Sequence, residues 1–319
     1  MHLLSAQARY ARRAAEACGY AFRSLDGVDG YLFEVRDGTR VATFAAGAGT
    51  PYALNDARSA SIARDKAFCA QVLRQANVPV LPGEMFFVTK RWSQMRSPGR
   101  EPEDARRCAA TAVYPLFCKP LSASNGLYAE VIENADAFDD YLSRVSAEHF
   151  AILVQPFVRA PEFRVFVLNE RALFSYQKTP TSVIGDGQRT LQELVSVVPR
   201  DAGAPALKAR GRDAEGHLIS ATEIPFARQE IVLEGPANRA AGGGVSGLRD
   251  GAPDAMGALA IDAARAIGLS LAAVDLFDLG DGYSVIEVNS NPMIATLEDA
   301  DRWDLIVEIW RANFDAALR

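Results

Sequence analysis

The chain has 319 residues, 49% hydrophobic and 23% charged, a length that favours two or three subdomains and a composition that excludes a disordered chain. Thirty-four Lys and Arg against 40 Asp and Glu leave a net charge of -6 without a basic block, which argues against a nucleic-acid partner. No apolar run approaches the roughly 20 residues of a bilayer span, and the four cysteines and three histidines lack zinc-site spacing, so free thiols in a cytoplasmic protein are expected.

MHLLSAQARYARRAAEACGY carries three arginines and few acids, as transit peptides do, but lacks an apolar h-region and reads as a surface helix. YLFEV and RVATF flank Arg36, Asp37, Gly38 and Thr39 and predict a hairpin. From Ser59 to Ala76 the apolar residues Ile62, Cys69, Val72, Leu73 and Ala76 fall on one face, which predicts a single helix with Lys66 at its rim and a stop at Pro79 and Pro82. Between Gly83 and Ala160, EMFFV, PLFCKP, LYAEVI and FAILVQPFV alternate with helical stretches at Glu103 to Ala112 and Ala135 to Val145, the pattern of a small α+β unit. FRVFVL and ALFSYQK then pair around Asn169 to Arg171, and a Gly- and Pro-rich region leads to a helix in AMGALAIDAARAIGL.

The next stretch, AAVDLFDLGDGYSVIEVNSNP, reads as an antiparallel hairpin. A turn centred on Asp281 sets Asp275 opposite Glu287, with Asn289 on the same face and Val274, Leu276, Ile286 and Val288 on the other. Carboxylates directly opposed on a sheet repel unless a cation or proton lies between them, and Asp, Glu and Asn oxygens suit Mg²⁺. A solvated strand face with unrelated acids fits the same spacing. Earlier in the chain, Lys119 ends the strand of LFCKP, and the small polar residues Ser122, Ala123, Ser124, Asn125 and Gly126 follow, a phosphate loop or an ordinary turn. A Walker loop is absent. Arg164 alternates with apolar neighbours, which leaves open a strand face turned to solvent.

Six stretches in order, SIARDKAFCAQVLRQANVPVLPG, FCKPLSASNG, VQPFVRAPEFRVFVLN, TPTSVIGDGQRTLQELV, ANRAAGGG and the last hairpin, resemble the ATP-grasp superfamily over roughly residues 55–295. The likeness is to ligases similar to cyanophycin synthetase and to the glutathione-synthesising domain of bifunctional bacterial enzymes. It implies an α+β ATP-grasp fold, two α+β subdomains clasping ATP after a small N-terminal α/β region, with boundaries at 1–82, 83–158 and 159–319. It further implies that Lys66 and Lys119 contact ATP phosphates, Ser122, Ser124, Asn125 and Gly126 close over them, Gln155, Pro156, Phe157 and Val158 form the adenine hinge, and Glu162 meets the ribose. Asp275, Glu287 and Asn289 become metal ligands, and Arg164, Lys178, Asn238, Arg239 and the glycines from Gly242 lie at the phosphoryl and acyl end. The chain departs from the pattern in Lys178, where an arginine is usual, in the single glycine of the phosphate loop, in Met293 after Pro292, and in Ala273, where D-alanine ligases carry an arginine.

The resemblance implies an ADP-forming carboxylate-amine ligase acting through an acyl phosphate on amino acids or small peptides. ATP and Mg²⁺ are the expected cofactors, with two ions, and Mn²⁺ as an alternative metal. Expected partners are small-molecule carboxylate and amine substrates, with no nucleic acid or membrane and with homodimer formation left open. A phosphotransferase acting on a small molecule and a nucleotide-binding regulator are the alternatives.

Overall fold

The computed structural model describes residues 4–46, 51–123, 126–199, 206–235 and 243–319. Helix α1 (Ala6–Cys18) starts where the Ser5 hydroxyl accepts from the Ala8 N–H and ends at Gly19, whose positive φ of 75° suits a residue without Cβ. A three-stranded antiparallel sheet follows, β1 (Ala21–Ser24), β2 (Leu32–Asp37) and β3 (Arg40–Ala45), with the predicted hairpin as its second half. Where apolar spacing predicts one helix over Ser59–Ala76, the structure has two, α2 (Ala57–Arg64) and α3 (Lys66–Gln75). Asp65 breaks them: its backbone is extended, and its carboxylate accepts from the Ala67 and Phe68 N–H groups to cap α3.

The next unit holds β4 (Glu84–Phe87), α4 (Pro102–Thr111), β5 (Leu116–Pro120), β6 (Glu130–Ile132), α5 (Ala135–Val145) and β7 (Ala151–Pro156). Its antiparallel sheet runs β4-β7-β5-β6 and closes its own core around Phe86, Phe138, Tyr141 and Ile152. β8 (Glu162–Leu168) and β9 (Arg171–Thr179) form the hairpin predicted around Asn169 to Arg171. The Gly- and Pro-rich region after it contains β10 (Ser182–Ile184), α6 (Leu191–Ser196), β11 (Gly211–Arg212), β12 (Leu218–Ile219) and β13 (Glu230–Leu233), a small sheet in the order β10-β13-β11-β12. The chain continues through β14 (Gly244–Asp250), α7 (Asp254–Ile267), β15 (Leu271–Asp278), β16 (Tyr283–Asn289), α8 (Ala295–Asp299) and α9 (Trp303–Ala317).

Strands β14-β9-β8-β15-β16 form a five-stranded antiparallel sheet that organises the rest. One face, with Val165, Val167, Val274, Leu276, Val285 and Val288, is buried in a core with α7. On the opposite face Phe166, Phe174, Leu271 and Ala273 share a core with Tyr10 of α1, Phe33 and Phe44 of the first sheet, and Trp310 and Phe314 of α9. Among the described residues no helix is long and apolar enough to cross a membrane.

Trp310, fully buried, meets the rings of Phe33, Phe44, Tyr52 and Phe314 at centroid distances of 5.6–5.9 Å and so joins elements from both ends of the chain. Trp310→Ala is expected to cost about 3–5 kcal/mol, read as a lowered urea midpoint. Loss of the first sheet alone, with the five-stranded sheet unfolding unchanged, would contradict this shared core.

Candidate active site

Strand register lays out the charged residues in rows. Across β16, β15, β8 and β9, Glu287 pairs with Asp275, Asp275 with Arg164, and Arg164 with Tyr176. One row along, Phe277 pairs with Glu162 and Glu162 with Lys178; one row back, Asn289 pairs with Ala273 and Ala273 with Phe166. Directly paired residues share a face, so Glu287, Asp275, Arg164, Glu162, Lys178 and Asn289 stand together above the aromatic core.

The opposition of Asp275 and Glu287 agrees with the sequence reading, but the turn does not. Asp278 pairs with Tyr283, and a bulge between Asp275 and Leu276 leaves Ile286 without a partner on β15. Val285, not Ile286, therefore enters the apolar core, and Ile286 instead lines a narrow cleft beside Glu287. Leu73, Val80 and Leu153 supply further apolar wall, with Lys66 and Gln155 beside them. The sequence places Leu73 and Ile286 only as apolar positions of a helix and a strand; that they meet Val80 and Leu153 in one cleft is not legible in their spacing.

Asp275 is 1% exposed. Arg164 donates to its two oxygens from Nε and Nη2 at 2.6 and 2.7 Å, and Lys178 Nζ lies 3.4 Å from Oδ2. Burial opposes ionisation of Asp275, but the Arg164 and Lys178 charges outweigh it and hold the carboxyl down to about 2. Lys178 also pairs with Glu162. Burial raises the Glu162 pKa, with Lys178 pulling the other way and Asp275 adding to the rise. Burial lowers that of Lys178 but Asp275 and Glu162 overcome it, so it stands above the usual lysine value. Glu287, drawn below its ordinary range against burial chiefly by Lys66, accepts from Asn289 Nδ2 at 3.3 Å and has Lys66 Nζ at 3.8 Å. Arg164 thus faces the carboxylates and not solvent.

Lys66, the first residue of α3, donates from Nζ to the Ala123 carbonyl at 3.1 Å and from its backbone N–H to Leu121, tying α3 to the segment after β5. Lys119 is 5% exposed and has no carboxylate within 4.0 Å among the described residues. Burial pushes its pKa down; Glu287 resists and Lys66 assists. Gln155 donates from Nε2 to the Pro82 carbonyl at 3.2 Å, while its Oε1 is buried without a partner. Pro156 ends β7, and beyond it the Phe157 N–H donates to the Pro115 carbonyl, leaving Val158 in the connection to β8. Ser122 is exposed and Gly126 has a positive φ of 73°.

Ser124, Asn125, Asn238, Arg239 and Gly242 lie outside the described residues. The chain re-enters description at Gly243, and Gly244 pairs with Thr179 beside Lys178. A Cβ at Gly244 would come within 2.4 Å of Thr179 Oγ1, so any larger residue there would have to displace that hydroxyl. The Glu162–Lys178 pair had a usable sequence signal: a turn centred on Glu170 sets those two residues opposite each other. A separate cluster, Asp213, Glu215 and His217, sits at the β11–β12 turn, where Asp213 is engaged by His217 and Gln229.

Residues 242–312 match the family described as a RimK-like ATP-grasp domain. The chain is 27% identical over 215 residues to the glutathione biosynthesis bifunctional protein GshAB of Pasteurella multocida, across 58% of this chain and 28% of that protein. With GshAB of Desulfotalea psychrophila the figures are 25% over 212 residues, 58% and 27%. The chain therefore spans about a quarter of the length of the curated relatives it matches. Among solved structures, a bifunctional glutathione synthetase from Pasteurella multocida superposes with a TM-score of 0.50 at 20% identity, covering 93% of this chain and 44% of that one. With the paired carboxylates and the sheet that carries them already in place, the chain is thus similar to ATP-grasp enzymes, in sequence to the GshAB proteins and in fold to the bifunctional glutathione synthetase.

Proposed function

We propose that the chain is an ATP-dependent carboxylate-amine ligase that forms an amide or peptide bond through an acyl phosphate and releases ADP and phosphate. The observation that carries this reading is the row Glu287–Asp275–Arg164, two acids paired across one sheet face within reach of Lys66 and Lys178. The oxygen donors of Asp275, Glu287 and Asn289, with no thiolate or imidazole among them, fit Mg²⁺ or Mn²⁺, and Glu287, with Lys66 beside it, also lines the cleft. A bound divalent ion would supply charge neutralisation at the phosphoryl oxygens. The orphaned Gln155 Oε1 in the apolar cleft fits the exocyclic amine of adenine, with Ile286, Leu153 and Val80 as walls.

Under this reading, Lys66 and Lys119 hold the phosphates, Ser122, Ser124, Asn125 and Gly126 cover them, Gln155, Pro156, Phe157 and Val158 read the base, and Glu162 meets the ribose. Transfer of the γ-phosphoryl to a carboxylate oxygen expels ADP; attack by an amine on the acyl carbon then expels phosphate, the amine losing a proton. Arg164, Lys178 and Arg239 offset the charge that accumulates on the phosphorylated carboxylate. Covering by residues 122–126 excludes water, which would otherwise hydrolyse the acyl phosphate. The division 1–82, 83–158 and 159–319 gives the middle segment the role of the cover. The substrates are amino acids or small peptides in this proposal, and the setting is cytoplasmic.

ADP release, measured against amino acids singly and in pairs with Mg²⁺, tests the reaction. ADP and phosphate appearing only when a carboxylate and an amine are both present is the expected result; AMP and pyrophosphate would refute it, and ADP formed without any amine would point to phosphotransfer.

Lys119→Met should lower that turnover by about 10²-fold or more yet raise the urea midpoint, because it removes a buried ammonium with no ion pair among the described residues. The sign with pH follows. A lysine whose pKa is depressed by folding is a burden on the native state while charged, so wild-type stability should gain on the variant as pH rises through the folded value toward 10.5. A variant less stable than wild type at neutral pH would contradict this account.

Ile286→Ala should raise the nucleotide Kd about 10-fold, measured by titration calorimetry, while Mn²⁺ binding without nucleotide stays unchanged. An unaltered nucleotide Kd would remove the base from this cleft.

A further inference from the structure

Side chains from before α2 converge on the residues that follow Asn289. Asn55 donates from Nδ2 to the Leu271 carbonyl at 2.7 Å and to the Ser290 carbonyl at 3.0 Å. Its Oδ1 accepts from the Ser270 and Leu271 N–H groups at 3.1 and 3.0 Å. Both donors and both lone pairs of this buried amide are therefore used, which leaves it one orientation. Tyr52 Oη donates to the Pro292 carbonyl at 3.0 Å and accepts from Gln7 Nε2 at 3.0 Å; the same Nε2 lies 3.8 Å from Met293 Sδ.

Asn55 thus fastens the start of β15 to the residue immediately after β16 ends. β15 carries Asp275 and β16 carries Glu287 and Asn289, so one side chain fixes how the two carrier strands lie at their shared end. Tyr52 fixes the loop two residues further on. Between them they hold alternate carbonyls of the 290–293 segment, groups that a strand no longer satisfies once it has ended.

We propose that Asn55 and Tyr52 are positioning residues for the divalent-cation site: they set the 290–293 loop, and through it Asn289, at the geometry the metal needs. This rests on the ligase reading of the Asp275, Glu287 and Asn289 face. It assigns the segment before α2, where the resemblance to ATP-grasp ligases is least, an action on the metal end of the site. The physical reason is tolerance: a ligand set must be held within about 0.5 Å, and loss of an outer hydrogen bond to a metal ligand's support typically costs 10–100-fold in metal affinity.

The test uses the full chain and Mn²⁺ as the probe. Electron paramagnetic resonance titration gives the Mn²⁺ Kd without nucleotide and with a non-hydrolysable ATP analogue, and urea unfolding gives stability. Asn55→Ala and Tyr52→Phe should each raise the Mn²⁺ Kd about 10-fold, with nucleotide binding in the absence of metal changed far less. Asn55→Asp keeps the acceptor for the Ser270 and Leu271 N–H groups but loses the donors to the Leu271 and Ser290 carbonyls, and should bind Mn²⁺ as weakly as Asn55→Ala. Tyr52→Phe retains the ring against Trp310 and loses only the hydroxyl, so it remains informative if the Asn55 variants do not fold. Lowered urea midpoints with an unchanged Mn²⁺ Kd in Tyr52→Phe would overturn this inference alone. A wild-type chain that binds no Mn²⁺, or binds it equally well as Asp275→Asn, would overturn the metal reading and this inference with it.

Discussion

A buried carboxylate held between a guanidinium and an ammonium is the constraint on which the charged face depends. Asp275 sits one residue from Val274 and pairs with Arg164, itself one residue from Val165, so ions and core alternate along the same strands. Replacing such a buried pair by apolar residues is often neutral or stabilising, whereas removing one partner is strongly destabilising. Replacing the whole set by apolar residues would therefore preserve stability, whereas removing Arg164 or Asp275 alone would not. Asp275 stays ionised until pH falls to about 2; its stabilising effect is complete above the ordinary carboxylate value and is lost on that descent. Lys178 stands where similar ligases have arginine, and the geometry suits it: one ammonium reaches both Glu162 and Asp275, while Arg164 gives Nε and Nη2 to the two oxygens of Asp275.

The β4-β7-β5-β6 unit has an apolar core of its own, and two polar attachments lie at its border. One is Lys66, whose ammonium joins the Ala123 carbonyl to the Glu287 side. The other is a group of ion pairs to the segment around β11 and β13: Glu130 with Lys208, and Glu133 with Arg210 and Arg212, which also meet Glu234. Lys208 is half exposed, so its pair contributes little to stability and weakens with salt. An apolar cluster of Leu121, Ala151 and Leu153, with Ala67 of α3 packed against it, joins the unit to the rest as well.

Residue pattern made part of this architecture legible. The 3.6-residue spacing gives α5 as Ala135 to Val145, the bounds observed, and alternation around a Gly- and Asp-rich turn pairs Asp275 with Glu287. What stayed hidden has identifiable causes. The break at Asp65 leaves the apolar phase of α2 and α3 unchanged, so periodicity cannot register it. Strands β10 to β13 are two to four residues long, too short for alternation to stand out. The bulge at Ile286 changes one side chain's face without changing the composition of its strand, and the contacts of Asn55 and Tyr52 go to backbone carbonyls more than 200 residues away, which leave no trace in spacing.

Ala273 shows how the two halves of one sheet face limit the chemistry above them. It lies between Asn289 and Phe166 in the row below Asp275, fully buried in the core that holds Phe174 and Trp310. Phe166 stacks on Phe174 at a centroid distance of 4.2 Å, so a long cationic side chain at Ala273 would have to displace aromatic rings or lose its hydration among them. An arginine at Ala273 would therefore be costly in this core. Under the proposed ligase reading, the described cations that can serve the acyl phosphate on this face lie in the row above, where Arg164 and Lys178 already face Asp275. The aromatic floor that joins both ends of the chain thus decides which strands can supply the cations.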